Sequence, residues 1–182
     1  MKSSLTPIRM SLLACLALLA ACAETAGNGA GGGSSPNDVQ ATAPGRATCV
    51  TTSTSQAQAG AAATNAVRAR SGLPPVRANA TLSRVAAEHA CDMAKRGRMT
   101  HRGSTTAGPG QRVKAAGYTP MVTAENIAAG PFDQGRVLSE WHSSSGHLAN
   151  LMIPQMRDYG IGQAVGADGK TRFWSAVYAA PR

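Results

Sequence analysis

Three side chains suited to metal binding or proton transfer stand in three separate segments of the chain: His101, Glu125 and His147. His147 follows Trp-His-Ser-Ser-Ser-Gly, which places it in the first turn of a predicted helix, facing the space between two elements. His101 lies in a polar Thr-His-Arg-Gly-Ser loop, where apolar packing does not explain it. Two imidazoles and a carboxylate brought together by the fold would hold a divalent metal or a fixed proton network.

Glu125 and His89 each admit a structural role beside a functional one. Glu125 lies in a segment predicted to be buried, so its carboxylate must be paired or hydrogen-bonded, or its pKa must be raised. It either belongs to the site or caps a nearby loop. His89 falls on the apolar face of a predicted helix, where a core histidine bonded to a carbonyl oxygen is favoured over a site ligand.

The spacing of apolar residues predicts the elements that position these side chains. Helices are predicted over 56–71, 81–96, 109–116 and 133–142, and a further helix that carries His147 follows them. Strands are predicted near Asn126 and over 159–165 and 171–178, the last two joined by an Asp-Gly turn. Helices on both sides of one sheet indicate an α+β fold.

Several motifs occur in a fixed order along the chain. They include Ala-Ala-Glu-His-Ala-Cys-Asp-Met-Ala at 86–94, His-Arg-Gly-Ser at 101–104, Glu-Asn-Ile-Ala at 125–128 and Trp-x-x-Ser-x-Gly-His-x-x-Asn-Leu at 141–151. Together they resemble the CAP superfamily, the cysteine-rich secretory, antigen 5 and pathogenesis-related 1 (SCP) domain, over roughly residues 56–180. The resemblance implies a three-layer α-β-α sandwich. It implies little about chemistry, because similar domains have binding, lipid-transporting and occasional hydrolytic roles.

The cleft implied by the resemblance departs from animal and plant members at one position. Those members have a tetrad of two histidines and two glutamates, and the second glutamate lies three residues beyond the tryptophan. Here that position is Ser144, whose predicted role is to cap the following helix. Glu140, one helical turn earlier, either reaches the same cleft or lies on an exposed helix surface.

The missing carboxylate limits the metal chemistry that the cleft can support. His101 and His147 are the predicted metal ligands, and Glu125 is either a third ligand or a base acting on bound water. The sequence contains no Gly-x-Ser-x-Gly motif, and its cysteines have other predicted roles, so no serine or cysteine nucleophile is indicated. We expect either no cofactor or a divalent metal such as zinc.

The N-terminal residues predict export. Basic residues precede an apolar run over 11–21 that is too short to cross a bilayer as a helix, which indicates a signal peptide over residues 1–21. The run ends in Leu-Ala-Ala-Cys and resembles a bacterial lipobox, which implies that Cys22 is acylated; the alternative is an ordinary cleavage site with an incidental cysteine. Ala23 in place of aspartate favours, by the same resemblance, the outer membrane.

After the signal peptide we predict a linker and one domain. Residues 22–55 are mostly Gly, Ala, Ser, Thr and Pro and are predicted to be a flexible tether. Residues 56–182 are long enough for a single CAP domain with its own core. The formal net charge of the whole chain is +9, but the basic residues are scattered without interleaved aromatics, so anionic envelope components or lipid are favoured as partners over nucleic acid.

The cysteines divide between the two regions. Cys15 leaves with the signal peptide and Cys22 carries the lipid, so Cys49 and Cys91 remain. An even pair in an oxidising compartment is predicted to form a disulfide. Cys91 lies about half a turn from the apolar stripe of its helix and is expected on the outer face, where it can bond to the incoming chain.

Three functions fit these observations. The favoured one is a lipid-anchored protein of the outer membrane, facing the periplasm or the surface, whose cleft binds an envelope or extracellular ligand without catalysis. The second is a metal-dependent hydrolase of peptide or cell-wall substrate that uses His101, His147 and Glu125. The third is a structural envelope protein with a vestigial cleft.

The lipid anchor gives the first testable prediction. A fatty-acid analogue fed to expressing cells should label the wild-type chain and should not label Cys22→Ser, because only the cysteine thiol of the lipobox accepts the lipid. Equal labelling of both chains would contradict the assignment of Cys22.

Overall fold

A mainly antiparallel sheet with helices on both faces forms residues 38–182, the part of the chain that the computed structural model describes. The helices there are α1 (Thr54–Ala69), α2 (Ala80–Arg96), α3 (Pro109–Ala115), α4 (Gln134–Ser143) and α5 (Ser145–Leu151). The strands are β1 (Val39–Gln40), β2 (Thr48–Cys49), β3 (Arg77–Ala78), β4 (Arg98–Met99), β5 (Pro120–Gly130), β6 (Asp158–Val165) and β7 (Arg172–Pro181). The predicted signal peptide and Cys22 lie outside the described residues.

The sheet has the strand order β2-β6-β7-β5, with β3 alongside the first part of β6, and β5 is an edge strand. One face of the sheet packs against α2 and α3, and its core includes Leu82, Val113 and Val177. The other face packs against α1, α4 and α5, and its core includes Trp141 and Tyr178. This arrangement confirms the predicted α+β sandwich. Within residues 38–182 no helix is long and apolar enough to cross a bilayer.

Helix α2 begins and ends where its sequence supplies caps. The Asn79 side chain accepts a hydrogen bond from the Leu82 amide at 3.1 Å, and Gly97 ends the helix in the left-handed conformation with φ 63°. The face predicted from helical spacing is buried, including Leu82, Val85 and Met93. The predicted helix over 81–96 is therefore confirmed to within one residue.

Two glycines of β6 let α2 lie directly on the sheet. A Cβ atom at Gly160 would overlap the backbone of Leu82 and Ser83, and one at Gly162 would overlap the backbone of Ala87. Any larger residue at either position would push the helix away from the strand and open the core between them. The predicted hairpin is also present, because β6 and β7 are joined through Gly169 with φ 68°.

The prediction of a flexible tether up to residue 55 is wrong for residues 38–55. In this stretch β1 pairs with β4, β2 pairs with β6, and α1 begins at Thr54 behind its cap Ser53. The predicted disulfide between Cys49 and Cys91 is present. The composition argument failed because it counted only side-chain burial, whereas main-chain hydrogen bonds and a covalent bond hold this stretch.

Cys91 also differs from its prediction. Its side chain is 9% exposed and belongs to a core cluster with Ala90 and Ala164, so it does not lie on an open outer face. The reason is that β2, which the sequence did not predict, covers this part of α2 and brings Cys49 to it.

The close contact between α2 and β6 gives a stability prediction. Gly160→Ala should lower the free energy of unfolding by about 1–3 kcal/mol, the usual cost of overpacking a core. The matched control is Gly110→Ala in α3, where a Cβ atom would meet nothing within 4 Å and a helical alanine should be neutral or stabilising. Urea unfolding measures both, and equal stability of Gly160→Ala and the wild type would contradict the packing argument.

Candidate functional site

A cleft of about 680 Å³ lies along the free edge of β5 and contains all five residues predicted from sequence. They are His101, Glu125, Glu140, Ser144 and His147. The loop after β4 supplies His101 and α5 supplies His147, while β5 supplies Glu125. The fold therefore brings together three segments that are far apart in the sequence.

Glu125 is the central group of the site and is only 4% exposed. Its Oε2 accepts a hydrogen bond from His101 Nδ1 at 2.8 Å. Its Oε1 accepts from Arg112 Nη2 at 2.6 Å and from Ser175 Oγ at 3.0 Å. Both carboxylate oxygens are thus occupied by donors from three different elements.

The charge state of Glu125 follows from these contacts. Burial alone would raise the pKa of Glu125, but the hydrogen bond from His101 and the nearby positive charges outweigh burial and hold the pKa below its ordinary value. Glu125 is therefore a carboxylate at neutral pH. Glu125 orients the ring of His101 through Oε2, while Arg112 and Ser175 hold its Oε1.

The tautomer of His101 is set by Glu125. A carboxylate only accepts hydrogen bonds, so Nδ1 carries the proton and Nε2 keeps its lone pair in the neutral ring. The side chain of His101 is 44% exposed, and its carbonyl oxygen accepts from Arg112 Nη1 at 2.9 Å. His101 is therefore fixed at the wall of the cleft both by its ring and by its carbonyl group.

His147 faces the same cleft from the first turn of α5. Its Nδ1 is buried and has no hydrogen-bond partner among the described residues. Burial, and to a smaller extent the charge of His101, lower the pKa of His147, so that this ring is neutral at neutral pH. A buried ring nitrogen without a partner is costly, unless a ligand or ion completes its bonding.

Helix α5 is fixed at its start by amide side chains rather than by a serine cap. Ser144 is the cap residue by position, but its side chain makes no capping hydrogen bond, so the predicted capping role of its hydroxyl is wrong. The Asn126 amide donates to the His147 carbonyl at 3.2 Å, and Asn150 donates to Asn126 Oδ1 at 2.7 Å. Strand β5 thereby holds the turn that carries His147.

The other end of α5 is fixed by Arg68 of α1. This side chain is fully buried and donates to four carbonyl oxygens, those of Pro74, Leu151, Ile153 and Met156. Leu151 is the last residue of α5, whose final carbonyl groups lack partners within the helix. A guanidinium at this negative end of the helix satisfies them and fixes the distance of α5 from α1.

The free edge of β5 is closed by side chains from the helices. Trp141 Nε1 donates to the Ile127 carbonyl at 3.3 Å, and Asn150 donates to the Glu125 carbonyl at 3.2 Å. An edge strand with open carbonyl groups would accept another strand. These two contacts occupy carbonyl groups that another strand would need, so the edge of β5 lines the cleft instead.

Glu140 and His89 occupy the margins of the site. Glu140 lines the cleft but pairs with Arg136 at 2.6 Å along α4. His89 donates from Nε2 to the Thr100 carbonyl at 2.9 Å, which is the core role predicted for it, and this nitrogen also lies 3.8 Å from Glu125 Oε2. Burial lowers the pKa of His89 to about 4, so His89 is neutral beside the carboxylate.

Sequence reasoning missed Arg112, Ser175, Asn126 and Asn150. Arg112 lies in α3 two residues before Lys114, and no local pattern distinguishes the largely buried Arg112 from the exposed Lys114. The available signal was indirect, because a buried Glu125 requires a cationic or donor partner from another element. Asn150 stood in the motif around His147 but had no assigned role.

The donor set available to a metal ion is small. Within residues 38–182 no group of three or more His, Cys, Asp or Glu side chains converges as a metal site. His101 and His147 line the same cleft, and their imidazole rings are of the kind that binds a metal ion. An ion in this cleft would have two histidine ligands from the protein, one fewer than the three protein ligands that catalytic zinc generally takes.

Residues 61–178 match the family described as CAP, the cysteine-rich secretory protein family. The chain belongs to the CAP family. It is 32% identical over 99 residues to the uncharacterized protein YkwD of Bacillus subtilis, an alignment that covers 54% of the chain and 38% of YkwD. The confirmed resemblance explains the shared order of motifs but assigns no activity.

Solved structures of other proteins share the fold. An extracellular protein containing an SCP domain from Bacillus anthracis matches with a TM-score of 0.60 and 28% identity, over 68% of this chain and 39% of that one. An outer surface protein from Borrelia burgdorferi matches with a TM-score of 0.60 and 21% identity, over 66% of this chain and 89% of that one. The aligned part is thus less than two fifths of each of the two Bacillus proteins.

The pairing of Glu125 with Arg112 gives a prediction for stability and its pH dependence. Arg112→Met should lower the free energy of unfolding at pH 7 by about 3–5 kcal/mol, because it leaves a buried carboxylate without its cation. In the wild type the lowered pKa of Glu125 stabilises the fold above about pH 4.3, and this contribution is lost as the pH falls through the folded pKa. The variant should lose less stability on acidification, because protonation relieves its unpaired charge.

The control is Lys114→Met on the same helix, where the side chain is exposed. Urea unfolding at pH 7 and pH 4 compares the three proteins. A destabilisation by Arg112→Met that matches the control at both pH values would contradict the central role of this ion pair.

Proposed function

We propose that the chain is an exported envelope protein, anchored in the outer membrane through Cys22, whose cleft binds an extracellular or envelope ligand without catalysis. His101 and His147 hold a divalent ion such as zinc in this cleft. The observation that supports the proposal is that His101 and His147, from separate segments, line one cleft in which Glu125 orients the ring of His101.

Binding is favoured over hydrolysis because the acids of the cleft are already engaged. Glu125 accepts hydrogen bonds on both oxygens, and Glu140 pairs with Arg136. A metal-dependent hydrolase needs a base for the attacking water and, for zinc, generally three protein ligands. For either role, Glu125 or Glu140 would have to share an oxygen with one of these contacts or give the contact up.

A bound ion would serve mainly to attract the ligand. Two imidazole ligands would leave coordination positions open, so the ion would polarise or bind an oxygen atom of the ligand directly. His101 and Asn150 surround the polar part of the cleft, and Val39, Met99 and Phe132 form an apolar wall beside it. The cleft accordingly suits a ligand with both polar oxygen atoms and an apolar group.

The proposed location rests on the sequence and on the relatives together. The N-terminal residues have the features of an exported lipoprotein. Two proteins of similar structure are described as an extracellular protein and as an outer surface protein. The formal net charge of +9 falls to +7 when Lys2 and Arg9 leave with the signal peptide, and this positive charge favours contact with anionic components of the envelope.

Zinc calorimetry tests the cleft. The wild type should bind zinc modestly at pH 7.5 and more weakly at pH 5.5, because protonated imidazole cannot bind a metal. The double variant His101→Ala/His147→Ala should lose binding while remaining folded, because the core around Trp141 and Tyr178 does not depend on either ring.

The matched control is His142→Ala, since His142 does not line the cleft. It should bind zinc as the wild type does. Unchanged zinc affinity in the double variant would rule out this site, and a wild type that binds no zinc would leave ligand binding without an ion or a structural role.

A further inference from the structure

We call residues 38–53 the N-terminal arm. The arm precedes the region matched by the family, residues 61–178, yet it supplies Val39 to the wall of the cleft. Val39 is 48% exposed. Within residues 38–182, the large apolar side chains that are exposed are those of Val39 and Met121. The arm is therefore a part of the binding site that the family pattern does not include.

The arm completes the C-terminal end of α2. The last carbonyl groups of a helix have no partner within it. Here they accept hydrogen bonds from the arm: Lys95 O from Gly45 N at 2.9 Å, Arg96 O from Gln40 Nε2 at 3.2 Å, and Gly97 O from Ala41 N at 2.8 Å and Thr42 N at 3.0 Å. A Cβ atom at Gly97 would overlap the Thr42 carbonyl, so the two segments are in direct contact.

This contact leads directly to His101. Beyond Gly97 the chain forms β4, in which Met99 pairs with Val39 of the arm. His101 follows Met99 by two residues, and Met99 also lines the cleft. The position of the loop that carries His101 therefore depends on the arm at its near end, while Glu125 and Arg112 hold the ring and the carbonyl group.

The disulfide is the strongest link between the arm and the domain. Most arm residues are exposed, so the arm buries little apolar surface. The net contribution of each main-chain hydrogen bond is comparable to the entropy cost of ordering one residue, so these bonds alone hold the arm weakly. Cys49, by contrast, is joined to Cys91 in the middle of α2.

The disulfide is also accessible to thiols. Cys49 is exposed, and both cysteines line an open groove of about 870 Å³ between the arm, α1 and α2. A thiolate in this groove can reach Cys49 Sγ, with Cys91 Sγ as the leaving group. Exposed disulfides of this kind are the ones that exchange readily.

We propose that the Cys49–Cys91 disulfide is a redox switch that sets the ligand affinity of the cleft. An external dithiol supplies the two electrons. Its first thiolate attacks Cys49 Sγ and expels the Cys91 thiolate; its second then displaces Cys49, and the dithiol leaves as a disulfide while the two protein thiolates take up its two protons. Reduction releases the arm, exposes the end of α2 and loosens the segment that carries His101.

Hydrogen–deuterium exchange of the full chain tests the structural step without any ligand. In the variant Cys49→Ser/Cys91→Ser, and in the wild type reduced with dithiothreitol, amide exchange over residues 38–47 and 95–101 should rise on the order of tenfold, whereas exchange in β7 and α5 should stay unchanged. Unchanged exchange over 95–101, or an equal rise in every element, would overturn the switch, because the disulfide would then be irrelevant to the site or a general staple.

A second variant separates the arm from the disulfide. Gln40→Ala removes the side-chain hydrogen bonds to Arg96 O and Gly97 O and leaves Cys49–Cys91 intact. Exchange over residues 96–98 should rise in the oxidised variant while β7 is unaffected. An unchanged exchange profile would show that the arm does not cap α2, and this too would overturn the switch.

The binding step rests on the proposed function and has its own measurement. Zinc calorimetry avoids dithiothreitol, which binds zinc itself, and compares the oxidised wild type with Cys49→Ser/Cys91→Ser. The variant should bind on the order of tenfold more weakly, in the range usual for coupled sites, and equal affinity would overturn the switch. If the wild type binds no zinc, the metal proposal fails, and the exchange experiments alone decide whether the disulfide controls the His101 segment.

Discussion

A buried carboxylate imposes the main constraint on this domain. Glu125 is enclosed between the sheet, α2 and α3, and a charge there is tolerated only with several donors around it. The donors come from the loop after β4, from α3 and from β7. These elements must lie where their donors reach the two carboxylate oxygens of Glu125. The hydrogen bonds to Glu125 therefore determine the position of His101.

The cleft exists because the last strand of the sheet is left without a neighbour. Helical side chains satisfy the carbonyl groups of β5 that face outward, and the histidines approach this edge from opposite faces of the sheet. Each ring is thus attached to a different layer. Small movements between layers would therefore alter the spacing of the two rings.

The sequence was informative where one local rule decides the outcome. Caps and spacing located α2 and α4, the Asp-Gly turn located the hairpin, and ordered motifs located the cleft. It was uninformative where a residue acts only through distant partners. Arg112 resembles any exposed helical arginine, and the arm resembles a linker, because the groups that bind them are elsewhere in the chain. The Ser144 hydroxyl makes no capping hydrogen bond, because the side chain of Asn126 in β5 holds the start of α5 instead.

Arg68 has a consequence for how the site responds to acid. Its guanidinium donates hydrogen bonds to peptide carbonyl oxygens rather than to a carboxylate, and none of these oxygens takes up a proton under ordinary conditions. Acid therefore leaves the contacts between Arg68 and the end of α5 unchanged, whereas it can protonate the ring of His147 on the same helix. The imidazole of His147 can therefore gain a proton in acid and lose it again on neutralisation while α5 stays in the same place.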